Sequence, residues 1–298
     1  MADITVSRED QASVRGRRVR SFISLMRRWP VSSIVIISLL VFTGIFAPWL
    51  APEPERFGEI RNSFEKPAIL GGDSRFILGT DQLGRDILSR ILFGARISLL
   101  ISVIVVVISG TFGTVMGLIS AWYGGWVDEI IMRLVDGINA MPIITVALVL
   151  AVVFGPSFGL LIFILAIGSW PGYARVVRGE ALVVRKLDYV ASARIAGAST
   201  PRILFRHLLP GVINVTVVVA TLSLSSVILA EAGLSFLGIG VPAPTPSWGG
   251  MVSDGRDFLT TAWWVSVFPG IAIAVTVVAF VLLGDWLRDR FDPRLRQL

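Results

Sequence analysis

The chain has 298 residues and an apolar composition that excludes most classes of soluble protein. Hydrophobic residues make up 54% of it and the mean hydropathy is +0.77, so a lipid bilayer is the expected solvent. No cysteine is present, which excludes disulfide bonds, thiolate metal sites and cysteine catalysis. The formal net charge of +6 comes almost entirely from arginine, since Lys66 and Lys186 are the only lysines. These arginines flank apolar segments, which indicates membrane orientation and not nucleic-acid binding.

Five stretches without Asp, Glu, Lys or Arg are long enough to cross a bilayer as helices, which takes about 20 residues. They are Val31–Pro52, Ile97–Val127, Gly137–Ala174, Leu208–Ala230 and Phe258–Gly284. The third is long enough for two short helices, with a turn predicted at Gly155-Pro156-Ser157. The sequence therefore predicts an all-α polytopic membrane protein with six transmembrane helices, because backbone polar groups in lipid must be paired within the segment. Continuous apolar runs argue against a transmembrane β-barrel, whose strands alternate.

Arginine-rich segments predict the orientation of the chain. They are the N-terminal tail 1–30, the loop around 178–210 and the C-terminal tail 286–298. Six crossings put all three on one side, which the positive-inside rule makes cytoplasmic. The first apolar run is too long for a cleavable signal, so we expect it to remain as a helix. Between the tails we expect a first helix with an extracytoplasmic segment (31–95) and a core (96–285).

The polar segment Asp188–Pro210 interrupts the apolar runs with a pattern typical of helix, turn and helix. Val190–Ala196 is rich in alanine, and Gly197 is placed just past the end of a helix. A second helix is predicted to begin at Pro201. The small side chains of the first helix leave a low surface that a partner can approach closely. An amphipathic hairpin on the lipid headgroups is the alternative, and the residues alone leave both interpretations open.

The spacing in this loop resembles the EAA loop of binding-protein-dependent ABC importer permeases. That family pattern is Glu-Ala-Ala, three residues, Gly, nine residues and then Ile-x-Leu-Pro. Here residues 191–193 are Ala-Ser-Ala, while Gly197 and Leu209-Pro210 match the pattern. The family Glu is absent, and His207 stands in place of the Ile.

Two longer stretches make the resemblance specific to one type of permease subunit. Phe76–Leu100 and Glu231–Met251 resemble the segments before the second helix and after the fifth helix in the C-type subunit of dipeptide and oligopeptide permeases. With the loop and the six spans, the resemblance covers nearly the whole chain. It implies the importer permease fold, in the inner (plasma) membrane of a bacterium, and half of a translocation pathway. Peptides are the implied substrate, although similar members carry nickel, glutathione, opines or oligosaccharides.

The resemblance also implies partners. These are a second related permease subunit, one or two ABC ATPase subunits, an extracytoplasmic substrate-binding protein and membrane lipid. Neither lysine fits the P-loop pattern Gly-x4-Gly-Lys-Ser/Thr. We therefore expect no cofactor and no enzymatic activity in this chain, with ATP and Mg bound by the partner ATPases.

In this family the loop docks in a groove of the ATPase, which gives a set of expected contact residues. They are Asp188, Tyr189, Ala191, Ala193, Arg194, Gly197, Ala198, Leu209 and Pro210. Glu231, Ser235 and Phe236 are candidates for the pathway or its outer gate, because ionisable residues in a membrane are functional candidates by default. A structural hydrogen bond from Glu231 is the alternative. His207 has no obvious companion ligands, so no metal site is predicted.

Three further patterns predict local features. Gly113-x-x-x-Gly117 predicts a close contact between helices, with glycines merely tolerated in lipid as the alternative. Leu83–Arg96 predicts an amphipathic helix on the outer membrane surface before the second span. Asp128, Glu129, Arg133 and Asp136 are predicted to form a solvated cytoplasmic turn between the second and third helices, with a gate role as the alternative. Glu129 lies four residues before Arg133, which predicts an ion pair. A secondary transporter working alone is the rival function, but it requires intramembrane carboxylates and broken helices that the charge-free runs do not offer.

Overall fold

A computed structural model describes residues 30–54 and 58–291 as an α-helical bundle without β-strands. The helices are α1 (Val31–Leu50), α2 (Ile87–Tyr123), α3 (Gly125–Ala140), α4 (Ile143–Phe154), α5 (Phe158–Val184), α6 (Asp188–Ile195), α7 (Thr200–Ile203), α8 (Leu209–Phe236), α9 (Trp248–Gly255) and α10 (Trp264–Phe291). A π-helical turn, Leu204–Leu208, joins α7 to α8 without a break. The all-α prediction is confirmed, while most of both predicted tails (1–29 and 292–298) lies outside the described residues.

Within the described residues, five helical stretches are long and apolar enough to cross a membrane. They are α1, α2, α5, the continuous stretch Thr200–Phe236 and α10. Helices α3 and α4 bend by 80° between them and make a sixth candidate if the pair counts as one span. Helix α4 alone has 12 residues, about 18 Å, and is too short for a hydrocarbon core of about 30 Å.

The run Gly137–Ala174 holds the two predicted helices, α4 and the start of α5, but the sixth span needs α3 as well and is broken between α3 and α4. Pro142 is the physical reason: its ring disfavours a helical conformation at Met141, where α3 stops. The predicted turn at residues 155–157 is confirmed, since α4 ends at Phe154 and α5 begins at Phe158. The Ser157 hydroxyl accepts a hydrogen bond from the Leu160 amide at the start of α5.

Helix α2 begins ten residues earlier than its apolar run predicts. Asp86 caps it, because its carboxylate accepts hydrogen bonds from the Ser89 amide (2.8 Å) and the Ser89 hydroxyl (2.6 Å). Burial raises the pKa of the Asp86 carboxyl, and the Ser89 bonds act against that rise. Residues 87–96 are thus the first turns of a 37-residue helix. The prediction of a separate surface helix over Leu83–Arg96 is wrong, because Arg85 and Arg90 are buried in ion pairs and the helix continues into the span.

The predicted close helix contact is confirmed where α2 packs on α5. A Cβ atom built on Gly113 would lie 2.5 Å from the Trp170 carbonyl oxygen and 2.6 Å from the Tyr173 Cβ. One built on Gly117 would lie 2.7 Å from the Ala174 carbonyl oxygen. Only glycine lets the two backbones approach this closely. The close packing of α2 on α5 therefore sets the positions of the elements at both ends of these two helices.

The bundle has two ends, which we name by the short helices that they carry. The α6 end carries α6 and α7, next to Ala121 and Trp122 in the last turn of α2. The α9 end carries residues 58–86 and α9, next to the start of α2, where the Trp248 indole donates a hydrogen bond to the Ile91 carbonyl.

We predict that Gly113→Ala lowers the stability of the protein by about 1–3 kcal/mol, because the added methyl forces the α2 and α5 backbones apart. The matched control is Gly172→Ala on α5, where a Cβ meets nothing within 4 Å. That change should be neutral or stabilising by about 0.5–1 kcal/mol, since it removes the entropic cost of a helical glycine. Thermal unfolding of the two purified variants measures this. Equal shifts of the midpoint would contradict the close contact.

Candidate functional site

Helix α6 ends in a left-handed turn at Gly197. The φ angle of Gly197 is +77°, its amide donates to the Arg194 carbonyl at 3.1 Å, and the Ala198 amide donates to the Ala193 carbonyl at 3.1 Å. These two bonds are the Schellman pattern that closes a helix C-terminus. A Cβ at Gly197 would meet no atom within 4 Å, so backbone conformation and not space requires glycine here. The predicted position of Gly197 just past the helix is confirmed.

Buried apolar side chains fix α6 and α7 to the bundle. Val190 is 2% exposed and is the one buried residue of α6. It packs in a cluster built from α2, α5, α6, α7 and α8. The cluster contains Leu118, Ala121, Val177, Ala181, Val184, Val190, Ile203, Leu204, Leu208 and Val212. The sequence analysis missed these anchors, although a lone valine among small residues is a usable signal for the inward face of a short helix.

The other side of α6 faces outward and is made of three small side chains, one isoleucine and one tyrosine. We call Tyr189, Ala191, Ser192, Ile195 and Ala196 the α6 face; all five are exposed, and Ile195 is 88% exposed. A protruding apolar side chain among small ones is a shape that a pocket in another protein can receive.

Seven of the nine predicted contact residues lie in α6 and its closing turn, and the other two lie in α8. Asp188, Tyr189, Ala191, Arg194 and Gly197 are exposed. Ala193 and Ala198 are half-buried, since they close the turn. Leu209 and Pro210 lie in the first turn of α8, where Leu209 packs against the apolar cluster.

Arginines connect α6 to the end of α2. The Arg185 guanidinium donates to the carbonyls of Ala121 (2.7 Å) and Trp122 (3.0 Å). These carbonyls lie in the last turn of α2, where cations are favourable. The guanidinium groups of Arg185 and Arg194 lie 5.8 Å and 5.5 Å from the centre of the Trp122 ring. Arg194 therefore has a stacking partner within the chain in addition to its predicted contact role.

The charged cluster after α2 lies in helix α3, so the predicted turn is wrong, while Glu129, Arg133 and Asp136 are exposed as predicted. Asp128 in α3 accepts two hydrogen bonds of 2.5 Å from Arg178 of α5 and another from the Ser120 hydroxyl. This bidentate pair ties α3 to both α2 and α5. The predicted pair Glu129–Arg133 is present at 2.6 Å, but it is exposed and contributes little.

A second group of charges is buried at the α9 end, and we call Asp81, Arg85 and Arg90 the charge knot. The fully buried Asp81 carboxylate accepts from the Arg85 Nε at 2.7 Å and from an Arg90 terminal nitrogen at 2.5 Å. It also accepts from the amides of Leu83 and Arg85. One carboxylate therefore contacts two buried guanidinium groups and balances one of their two positive charges.

Glu231 of α8 is also fully buried, at the same end. It accepts hydrogen bonds from the hydroxyls of Ser98 (3.1 Å) and Ser235 (2.7 Å), so its carboxylate links α2 to α8. This geometry favours the structural alternative for Glu231. Phe236 is partly exposed, with Arg256 over its ring at 5.9 Å. A role of these residues in a pathway or gate stays a prediction.

Within residues 30–54 and 58–291, no three His, Asp or Glu side chains are grouped to hold a metal ion. His207 instead lies beside Tyr189, with 6.3 Å between the ring centres. The Tyr189 hydroxyl donates a long hydrogen bond (3.4 Å) to the His207 carbonyl, which connects α6 to the π-helical turn.

Comparisons with known proteins show which family the chain resembles in sequence. Residues 113–297 match the sequence family described as "Binding-protein-dependent transport system inner membrane component". The chain is 42% identical to the dipeptide transport system permease protein of Escherichia coli (strain K12) over 100% of both chains. It is 42% identical to the di/tripeptide transport system permease protein of Pseudomonas aeruginosa (strain UCBPP-PA14), over 89% of this chain and 88% of that one.

A third relative carries a different name. The glutathione transport system permease protein of Escherichia coli O6:K15:H31 is 41% identical over 89% of this chain and 86% of its own length. Among solved structures, the MetNI methionine ABC transporter in an inward-facing conformation has a chain that aligns with a TM-score of 0.56 and 18% identity, over 68% of this chain and 96% of that one. This likeness shows the fold.

We predict that Asp81→Asn destabilises the protein by about 3–5 kcal/mol, because it leaves two buried guanidinium groups without their shared counter-charge. The matched control is Asp257→Asn, which removes an exposed carboxylate whose ion pair with Arg256 is 3.4 Å long and worth about 0–1 kcal/mol. The midpoint of thermal unfolding in detergent measures both. If the two variants unfold at the same temperature, the charge knot does not hold the α9 end together.

Proposed function

Because this chain belongs to the family of binding-protein-dependent transport system inner membrane components, we propose that it forms half of the translocation pathway of an ATP-driven importer and docks on a cytoplasmic ATPase through the α6 face. Two features together support docking: α6 has an exposed face rich in small side chains, and its opposite side is firmly packed on the bundle. Val190 holds α6 on the bundle, while Ile195 and its small neighbours are left uncovered. A partner that moves α6 therefore also moves the helices behind it.

The route of this motion follows from the packing. Three residues separate α5 from α6, and the cluster around Val190 includes residues of α2, α5 and α8. Such a unit moves as a body when two packings of a bundle interchange. We infer that closure of the ATPase dimer displaces α6 and so changes which side of the membrane the pathway faces.

The energy for this cycle comes from the partner. The sequence has no P-loop, so ATP and Mg bind to the ATPase subunits and this chain contributes no catalytic step. The full assembly that we propose contains this chain, a second related permease, one or two ATPase subunits and an extracytoplasmic binding protein.

Orientation follows from the charges at the two ends. The arginine-rich loop and tails lie on the cytoplasmic side by the positive-inside rule. The α6 end then faces the cytoplasm with both termini, and the α9 end faces the binding protein. Exposed apolar side chains on the flanks of the spanning helices, such as Leu39 and Val107, are covered by lipid or by the second permease.

Peptides are the substrate that we propose, from two residues to several. Two of the relatives above are named for dipeptides or di/tripeptides, and one is named for glutathione. Nickel, opines and oligosaccharides are alternatives for the same architecture. A binding protein delivers the substrate, so much of the selectivity belongs to another polypeptide.

We predict that Gly197→Asp and Ala193→Arg abolish uptake while the protein still inserts and still pairs with the second permease. Gly197→Asp strains the left-handed turn, and Ala193→Arg puts a long charged side chain beside the small residues of the α6 face. Uptake of labelled dipeptide by cells measures function. Co-purification of the ATPase and of the second permease with the tagged chain separates loss of docking from loss of folding.

The matched control is Gly137→Asp, which adds the same side chain at an exposed glycine of α3 where nothing lies within 4 Å. It should keep uptake and ATPase binding close to wild type. Full transport by both loop variants would show that the α6 face is not the docking surface.

A further inference from the structure

A cavity of about 360 Å³ opens at the α9 end. Residues from the charge knot, from the turn between α4 and α5, and from the loop between α8 and α9 line it. They include Gln82, Arg85, Arg90, Pro156, Ser247 and Asp254. This volume lies at the lower end of the range for sites that bind small molecules or single side chains. The segment Gly240–Pro244 forms part of its wall, and that wall has no charged side chains.

Two arginines and one aspartate are the charged residues of this lining. Arg85 and Arg90 already share the buried Asp81 carboxylate, which leaves one positive charge for a second anion to balance. That second anion is Asp254 of α9, at 3.3 Å from Arg90 and 3.7 Å from Arg85. These distances are longer than those to Asp81, and the Asp254 side chain is 38% exposed. Asp254 is therefore the weaker and more displaceable of the two partners.

Two buried polar atoms at this site have no hydrogen-bond partner among the described residues. They are the Nε of Arg90, whose residue is 4% exposed, and the Oε1 of Gln82. An unused donor on a buried guanidinium is costly unless a ligand satisfies it. The planar array of N–H donors on arginine matches a carboxylate, which it can bind through two parallel hydrogen bonds. The site thus offers positive charge, one spare donor on Arg90 and space for an acidic group.

We propose that this cavity binds a carboxylate, which takes the place of Asp254 as the second counter-charge of Arg85 and Arg90. Asp254 then turns towards solvent, and α9 loses its ionic tie to the start of α2. The proposal rests on the proposed function, because it assigns the α9 end to the side that receives substrate. Two sources supply this chemistry there: an acidic side chain of the docked binding protein, and the C-terminal carboxylate of a peptide.

The test measures the affinity of the binding protein for the complete importer complex in lipid nanodiscs, without nucleotide. Asp254→Asn removes the competing charge and keeps the side-chain shape, so it should tighten binding roughly two- to fivefold, the range expected for loss of one partly exposed ion pair. Asp254→Glu keeps the competitor and should bind like wild type. The matched control is Asp257→Asn, which removes an exposed carboxylate three residues away that does not line the cavity.

Further arms identify the source of the carboxylate. If Asp254→Asn also raises the affinity for binding protein that carries no peptide, the carboxylate belongs to the binding protein. A gain in affinity that appears only with peptide-loaded binding protein assigns the carboxylate to the peptide. In that case, millimolar Ala-Ala without binding protein should raise the unfolding temperature of the wild-type complex more than Ala-Ala amide does. The inference is overturned if the wild-type complex binds and imports but Asp254→Asn matches Asp257→Asn. A wild-type complex that neither binds the binding protein nor imports peptide overturns the proposed function, and this inference with it.

Discussion

The packing of Val190 and Ile203 between α2, α5 and α8 fixes α6 on the bundle, and the functional interpretation depends on this contact. Without it, an eight-residue helix would be a mobile appendage, because isolated helices of that length are not stable in water. With it, the outward residues of α6 are held in one orientation, and a force on them reaches three spanning helices. The Gly197 turn also helps to hold α6 in place, since it closes α6 and leads the chain back into the apolar cluster through α7.

The opposite end of the bundle is held by charges. The start of α2 carries Asp86 as its cap and Arg85 and Arg90 around the buried Asp81. Glu231 adds a third buried carboxylate, bonded to two serine hydroxyls. Burying these groups would cost several kcal/mol each if they were not paired or hydrogen-bonded. The two ends thus differ in chemistry. The α6 end has buried apolar side chains behind an exposed docking face, and the α9 end has paired charges beside a cavity.

The sequence predicts the parts of the fold that depend on local rules. Apolar runs locate the spanning helices, and Gly197 marks the end of α6 because a left-handed turn favours glycine. The prediction failed where distant pairing overrides a local rule. Charged residues before Ile97 argued for a surface helix, yet Arg90 pairs with Asp254, which is 164 residues away in the chain. Hydropathy alone also gave no sign that Pro142 would split one apolar run so unevenly.

The contact residues of the loop could be listed from spacing, but their three-dimensional arrangement could not. Spacing does not say that Ala193 closes the turn while Ile195 protrudes, because that depends on which face of α6 the single valine buries. It also cannot place Arg194 over Trp122, a contact between α6 and the end of α2. These tertiary contacts decide which side of the loop is free for a partner.

The central claim is that the α6 face meets an ATPase and not lipid headgroups. The most direct measurement replaces Ile195 with a photo-reactive phenylalanine analogue in the full chain and identifies what it labels in intact membranes. The same replacement at Leu39 of α1, also an exposed apolar position, is the control. Our account predicts a cross-link from position 195 to a cytoplasmic ATPase subunit and none from position 39. Labelling of lipid alone from position 195 would contradict it.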